Sequence, residues 1–428
     1  SSLKKSKTRS LRVIKLVIKK NLLTLSLTVI FSLIIAFLIY KKFVYPTIWP
    51  LEVNGLNYIF ADWGAIVSAN VCEQKGLNVY LENPCDVYNR KHVYGEILLH
   101  FPFLEFKKFY QLYFPLIINI LFLFVILSFF TQTNSFKSYF LVFFVISLPV
   151  ILAIERANTD ILIFLMMYLI SKYKNLFINH ILIIFSTLLK FYPICFGVVL
   201  LFHKIIKKIF INILIVALFL IFFLIHQHEN LILIFNNSAQ FSGSGPYQFA
   251  LKGLITAILN IKPFINDYNI NWLIYFLIVF FLILPFIFFG KRILQFQENE
   301  KSLFHIFDLN TFENRLFIIS TLILIFCYFV VQNFNYREIF LIGLIPYILK
   351  NESIHNRILN NLYYLIVIKF LMSTILVYLF MNKVNIDLNY LINLIKHFLD
   401  FYVVSILFII LFLNLKNLFQ KHFLLEKL

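Results

Sequence analysis

The stretch NLLTLSLTVIFSLIIAFLIY, Asn21 to Tyr40, carries no charge, and it follows the basic run SLKKSKTRSLRVIKLVIKK of Ser2 to Lys20. A helix rises 1.5 Å per residue, so about 20 apolar residues cross a hydrocarbon layer of ~30 Å. A cleaved leader has a shorter apolar core closed by small residues, whereas this segment runs on into KKFVYPTIWP. It reads as a retained first transmembrane helix, with the basic residues 1–20 as a cytoplasmic N-terminus.

The rest of the chain agrees with that reading. Of 428 residues, 61% are hydrophobic and 14% charged, too few polar side chains to coat a soluble body of this size. The net charge of +18 suits anionic lipid and lipid phosphate. A nucleic-acid partner is not expected, because no RNA-binding signature, phosphate-cradling glycine loop or zinc-type Cys/His spacing is present. Further apolar runs fall near 113–131, 137–154, 159–171, 176–189, 191–203, 209–226, 271–290, 315–331, 338–349, 358–381 and 401–415. Several are shorter than a straight crossing, so their boundaries are soft. With the first helix they predict an all-α polytopic membrane protein, residues 21–428 forming one domain of about 11–13 helices.

Alternating sides from an inside N-terminus puts SKYKN, HKIIKK, GKRILQ, ILKNESIHNR and LKNLFQKHF in the cytoplasm, as the distribution of Lys and Arg requires. The opposite, extracytoplasmic face receives residues 41–112, the junction IERANTD at 154–160, LLKFYP at 188–193 and QNFNYRE at 332–338. Each of these carries charge at the end of an apolar run. A lone cation there is often a snorkelling anchor, but four on one face point to a shared site. Asp62, in FADWGAIVSANV just past the first helix, is the acid of that face. A carboxylate beside a bilayer is costly unless hydrated or paired.

Cys72 and Cys85 close a polar loop of about fourteen residues if they pair, a contribution of ~3 kcal/mol in an oxidising compartment. Cys195 and Cys327 fall in apolar runs and read as small core residues. Within 41–112, ILLHFPFLEFKKFYQLYF at 97–114 has the composition of an interfacial helix. A second large outer loop is expected at 227–270, with a Ser/Gly-rich centre suited to gating. His226 and His228 lack a visible third ligand, so no metal or cofactor is expected.

The Asp soon after helix one, GLNVY at Gly76 to Tyr80, ERANTDILIFLMMYL, LLKFYPICFGVVLLF and NFNYREIFLIGLIP lie in this order along nearly the whole chain. In that order they resemble the GT-C superfamily of multi-span glycosyltransferases, most closely family 87, which uses polyprenyl-phosphate mannose. The resemblance implies a GT-C-like bundle, a carrier-linked sugar donor and an inverting, metal-independent transfer at an extracytoplasmic site, as in a bacterial inner membrane. It carries over Asp62 as the catalytic base and places Arg156, Lys190, Tyr192 and Arg337 at the donor phosphate, with Asn158, Asp160 and Tyr336 as further site residues. The acceptor it implies is a lipid or an envelope glycan. The cysteine-containing loop and NPCDVYNRKHVYG depart from the family pattern, which leaves the sugar and acceptor open.

The residue types suit such chemistry. A positioned carboxylate takes the acceptor's proton, typically worth ~10²- to 10⁴-fold in rate. Arg grips phosphate oxygens bidentately and Lys acts as a compact charge. Aimed at a leaving phosphate in a water-poor site, they supply the electrostatic share of catalysis. No D-x-D lies in an outer segment, which favours a monophosphate donor over a metal-bound nucleotide sugar. Asp86, beside Cys85, is the rival base, although turn capping is its simpler role. Glu155 could instead pair locally with Arg156. Two alternatives remain: a ligase or polymerase using a diphosphate lipid, and a lipid or glycan transporter. The transporter predicts ionisable groups facing each other mid-membrane, whereas here they gather at outer helix ends, with Lys369 within 358–381 the main exception.

Overall fold

A computed structural model describes residues 2–40, 52–53, 56–57, 60–100, 109–132, 141–201, 206–237, 249–259, 310–330, 335–351, 357–381 and 386–425. Among these, strand pairing is confined to a two-residue antiparallel ladder, β1 (Glu52–Val53) on β2 (Leu56–Asn57). Everything else that is regular is helical. Six helices among the described residues are long and apolar enough to cross a membrane. The protein is therefore an all-α polytopic membrane protein.

The first, α1 (Ser2–Tyr40), joins the basic run and the apolar segment in one rod whose spanning part is Ile18–Ile39. After it, α2 (Ala61–Glu73) is a buried helix of the first loop. Trp63 Nε1 donates to the Tyr110 carbonyl at 2.7 Å, tying α2 to a π turn, Phe109–Tyr113, that continues into α3 (Phe114–Gln132). The 97–114 interfacial helix is thus not one helix where it is described. Glu96–Leu99 is a single 3-10 turn, and 101–108 lies outside the described residues.

The run 137–154 is broken. It forms α4 (Leu141–Val145) and α5 (Leu148–Arg156), separated at Ser147, because Pro149 in the first turn of α5 has no N–H to continue a helix from α4. Next come α6 (Thr159–Lys172) and α7 (Leu176–Leu189), each started by an Asn side chain that accepts from the first-turn amides. The runs 191–203 and 338–349 are not straight crossings either. Each is a 3-10 segment, Tyr192–Gly197 or Asn335–Leu344, followed by a short helix, α8 (Val198–Leu201) or, further along, α12 (Ile345–Lys350). Irregular backbone is tolerated at membrane depth only where protein covers it, and Ile339, Phe340, Leu341, Ile342 and Leu344 are all 0% exposed.

Between those segments, α9 (Ile206–Asn237) runs on past the expected boundary, so 227–237 belongs to a helix and not to a loop. In the rest of the expected 227–270 loop, Leu251–Leu259 forms α10, while 238–248 and 260–270 lie outside the described residues, as does the run 271–290. The remaining spans lie in α11 (Phe312–Val330), α13 (Arg357–Met381) and α14 (Ile386–Leu425). In α14 the span is Ile392–Phe412, nine residues earlier than expected.

Packing follows the hydrophobic pattern. A single core cluster joins α3, α5, α6, α11, α13 and α14, with Phe122 of α3 edge-on to Phe164 of α6 at 5.1 Å. By contrast, the spans of α1 and α9 bury only 22% and 17% of their residues. Apolar on all sides, they leave a surface that lipid covers.

Candidate functional site

The site begins at the joint between α5 and α6. There α5 ends on Arg156, Ala157 turns the chain with φ 46°, and Asn158 starts α6. Asn158 Oδ1 accepts from the Asp160 amide at 2.9 Å, closing the cap, and also from Lys190 Nζ at 3.2 Å. These two donors fix the amide orientation, so Nδ2 donates to Asp62 Oδ2 at 2.6 Å. One side chain thereby links the carboxylate of α2 to the cation that follows α7.

Asp62 has two guanidinium neighbours. Arg156 Nε lies 3.3 Å and Arg90 Nη1 3.5 Å from its Oδ1. Arg156, expected at the phosphate with Lys190, lies beside Asp62. Arg90 was not singled out by sequence, and its delivery is a product of the loop. Asp86 Oδ2 accepts from the Tyr88 and Arg90 amides, and both its oxygens accept from the Arg90 guanidinium at 2.9 Å. Asp86 therefore caps the turn and aims Arg90, while Arg90 Nη2 donates to the Ala61 carbonyl at 2.7 Å. The Cys72–Cys85 disulfide braces this loop where it leaves α2. An Asp and Arg four residues apart beside a cysteine was the signal available in NPCDVYNR.

The second half of the site surrounds Asp160. Lys190 pairs with its Oδ1, Tyr192 donates to the same oxygen, and Arg337 Nε lies 3.3 Å from Oδ2. Arg337 also stacks over the Tyr192 ring, 4.7 Å from its centroid. Asp160 is wholly buried, while the Lys190 and Arg337 side chains keep 9% and 14% exposure. Tyr336 is buried within the electrostatic reach of both Asp62 and Asp160. Asp62, Arg156, Asn158, Asp160, Lys190, Tyr192, Tyr336 and Arg337 thus lie near one another.

Tyr94, also missed by sequence reading, lies against Lys190. Lys190 Nζ sits 5.3 Å from its ring centroid. Desolvation, then the charge of Asp62, pushes the Tyr94 hydroxyl well above the usual phenol range, so it stays a donor. Its neighbour Gly95 is there for closeness: a Cβ would lie 1.7 Å from the Leu188 carbonyl oxygen, and the Gly95 amide donates to the Leu189 carbonyl at 3.0 Å. That contact seats the loop against the end of α7, next to Lys190.

Glu155 is buried beside Arg156. One oxygen, Oε2, is buried with no hydrogen-bond partner. Burial pushes its carboxyl up to about 7, against the pull of Arg156 and with the push of Asp62. Its carbonyl accepts from the Phe60 amide at 3.1 Å, joining the entry of α2 to the end of α5.

Backbone geometry marks the same spot. Among the described residues the non-glycine positive φ values belong to Phe60, Asn89 and Ala157, which stand next to or one residue from Asp62, Arg90 and Arg156. Left-handed backbone at such residues costs about 1–3 kcal/mol and gathers where a site over-determines it. In GLNVY, Gly76 at φ 79° ends α2, and Asn78 Oδ1 accepts from the Tyr80 amide, so that motif shapes the loop. Among the described residues no group of three His, Cys, Asp or Glu is placed to hold a metal ion.

Comparison of the chain with protein-family models, curated proteins and solved structures finds no match.

Proposed function

We propose that the protein is a membrane-embedded, inverting glycosyltransferase that moves a single sugar from a polyprenyl phosphate to a lipid or glycan acceptor, with Asp62 as general base. The observation that carries this is the Asn158 bridge, which holds one buried carboxylate within reach of a separate Lys190/Arg337 cation pair. Sugar transfer to a hydroxyl calls for those two centres, a proton acceptor and an anion holder, side by side.

In the proposed step, Asp62 removes the acceptor's hydroxyl proton as that oxygen bonds to the anomeric carbon. The bond from that carbon to the phosphate oxygen breaks, and its electron pair leaves on the polyprenyl monophosphate. Lys190 and Arg337 receive the leaving charge, with Asp160 keeping both in place when no donor is bound. Fixed cations in a water-poor site stabilise a developing anion without having to reorganise. Tyr94 and Tyr192 present rings and hydroxyls beside the same cations, and rings of this kind suit the apolar faces of a sugar. An extracytoplasmic site, a GT-C-like bundle and a mannose-like hexose or a pentose as the sugar belong to this reading.

One observation favours a transporter instead. Glu338, Lys369, Lys396, His397 and Asp400 are each 0% exposed and face one another inside the bundle. Glu338 directly follows Arg337, so this network borders the candidate site. Transfer of radiolabelled sugar from polyprenyl-phosphate donors by purified protein in lipid separates the two, since a transporter leaves the glycosidic bond to phosphate intact.

A further inference from the structure

A second charge network, every member 0% exposed, lies outside the proposed chemistry. Lys369 Nζ is 2.7 Å from Glu338 Oε1 and pairs with Asp400. Lys396 Nζ is 3.2 Å from Asp400 Oδ2 and 3.8 Å from Glu338 Oε1. Ser373 Oγ donates to Glu338 Oε2 at 3.1 Å. Lys369 lies six residues before the end of its span and Asp400 eight after the start of its own, roughly 9 and 12 Å along the helix axes. Withdrawing such charges from water costs several kcal/mol per ion before pairing offsets it, and a well-packed apolar cluster often stabilises a fold as well. Bulk stability is a weak reason for this network.

Its geometry supplies a better one. Glu338 follows Arg337 in the 3-10 segment Asn335–Leu344, where successive side chains point about a third of a turn apart. Arg337 therefore faces Asp160 while Glu338 faces α13 and α14. The hydrogen-bond geometry of a 3-10 helix is poorer than that of an α-helix, and beside the buried packing of Ile339 to Leu344 the charged contacts on two sides bear on its rotation.

We infer that Glu338, clamped by Lys369 and Ser373, is a positioning residue that sets the rotation of this segment and so holds Arg337 against Asp160. The consequence for ligand binding rests on the reading of Arg337 as a phosphate-holding group. The clamp itself does not.

The test uses the full chain in lipid nanodiscs. Glu338→Gln removes the anchor; because it leaves two lysines facing one aspartate, Glu338→Gln/Lys396→Met is made beside it, keeping the Lys369–Asp400 pair balanced. Amide hydrogen exchange across 335–344 should rise at least tenfold in the balanced variant, with exchange in the α3 and α11 spans unchanged. Affinity for polyprenyl monophosphate should fall about tenfold, and in an Arg337→Ala background the same substitutions should add less than twofold. Unchanged exchange across 335–344, or a full additional loss in the Arg337→Ala background, overturns the inference. Wild-type protein that fails to bind polyprenyl monophosphate sinks the phosphate reading, while the exchange result still decides the clamp.

Discussion

Asn158 and Asp62 are 96 residues apart in sequence and hydrogen-bonded at 2.6 Å, and the same Asn158 amide accepts from Lys190. A helix cap has become the joint between two charged centres. Asn158→Ala should cost about 1–3 kcal/mol of stability through the lost cap and the unpaired buried partners. Turnover should fall further than folding does, by roughly 10- to 100-fold, since misplacing a group by about 1 Å can cost 10²-fold. Asn158→Asp, isosteric but acidic beside Asp62, should be worse than Ala in activity. Thermal unfolding and initial rates on the same preparations measure both.

Gly95→Ala should be disproportionately harmful for one methyl group. Its Cβ would meet backbone at 1.7 Å, so the loop must lift from Leu188 and Leu189, taking Tyr94 away from Lys190. Activity should fall at least tenfold, and Gly95→Val should be no better. Wild-type rates in Gly95→Ala protein would show that the loop does not need this seat.

Loss of the disulfide should loosen Arg90 before it unfolds the bundle. Cys72 and Cys85, 13 residues apart, close only the loop that aims Arg90 at Asp62. Cys72→Ser/Cys85→Ser should cost about 2–4 kcal/mol locally. Proteolysis within 73–95 should accelerate on reduction, while the spanning helices stay protected.

Glu155 should give stability a pH dependence of known sign. Its carboxyl titrates near 4.5 when unfolded and at about 7 when folded. Its contribution is therefore full below 4.5 and lost as pH rises through 7, a difference of about 3 kcal/mol. His92 runs the other way, since burial lowers it from 6.5 to about 4, and its contribution is lost as pH falls through that range. The difference in melting temperature between wild type and Glu155→Gln isolates the glutamate. Relative to wild type, the variant should gain stability from pH 5 to pH 8; a difference that does not change with pH contradicts the assignment.

Much of this site was legible because hydrophobic patterning isolates its charges. Asp62, Arg156, Asp160, Lys190 and Arg337 each stand at the edge of an apolar run, and a charge there needs a partner. Less legible was who partners whom. Arg156 goes to Asp62 because Ala157 turns the chain left-handed at that point, which alanine does not advertise. Arg90 depends on a turn that exists only once Asp86 and the disulfide are in place. The charges of α14 were missed for a different reason. A last span drawn at 401–415 left out Lys396, His397 and Asp400, yet the helix enters the bundle at Ile392, because those charges are offset by Glu338 and Lys369 from other segments. Windowed hydropathy counts charge without knowing its partner. The short elements around Pro149, Pro193 and Pro346 were likewise read as crossings, since apolarity reports burial but not whether lipid or protein supplies it.

The most direct test of the account is single-turnover transfer from a panel of polyprenyl-phosphate sugars, comparing wild type with Asp62→Asn in the same lipid. The substitution keeps shape and an acceptor for Asn158 but cannot take a proton. The account predicts loss of at least 10²-fold in the transfer step, with polyprenyl monophosphate affinity within about threefold of wild type. Transfer by Asp62→Asn at near wild-type rate would contradict it.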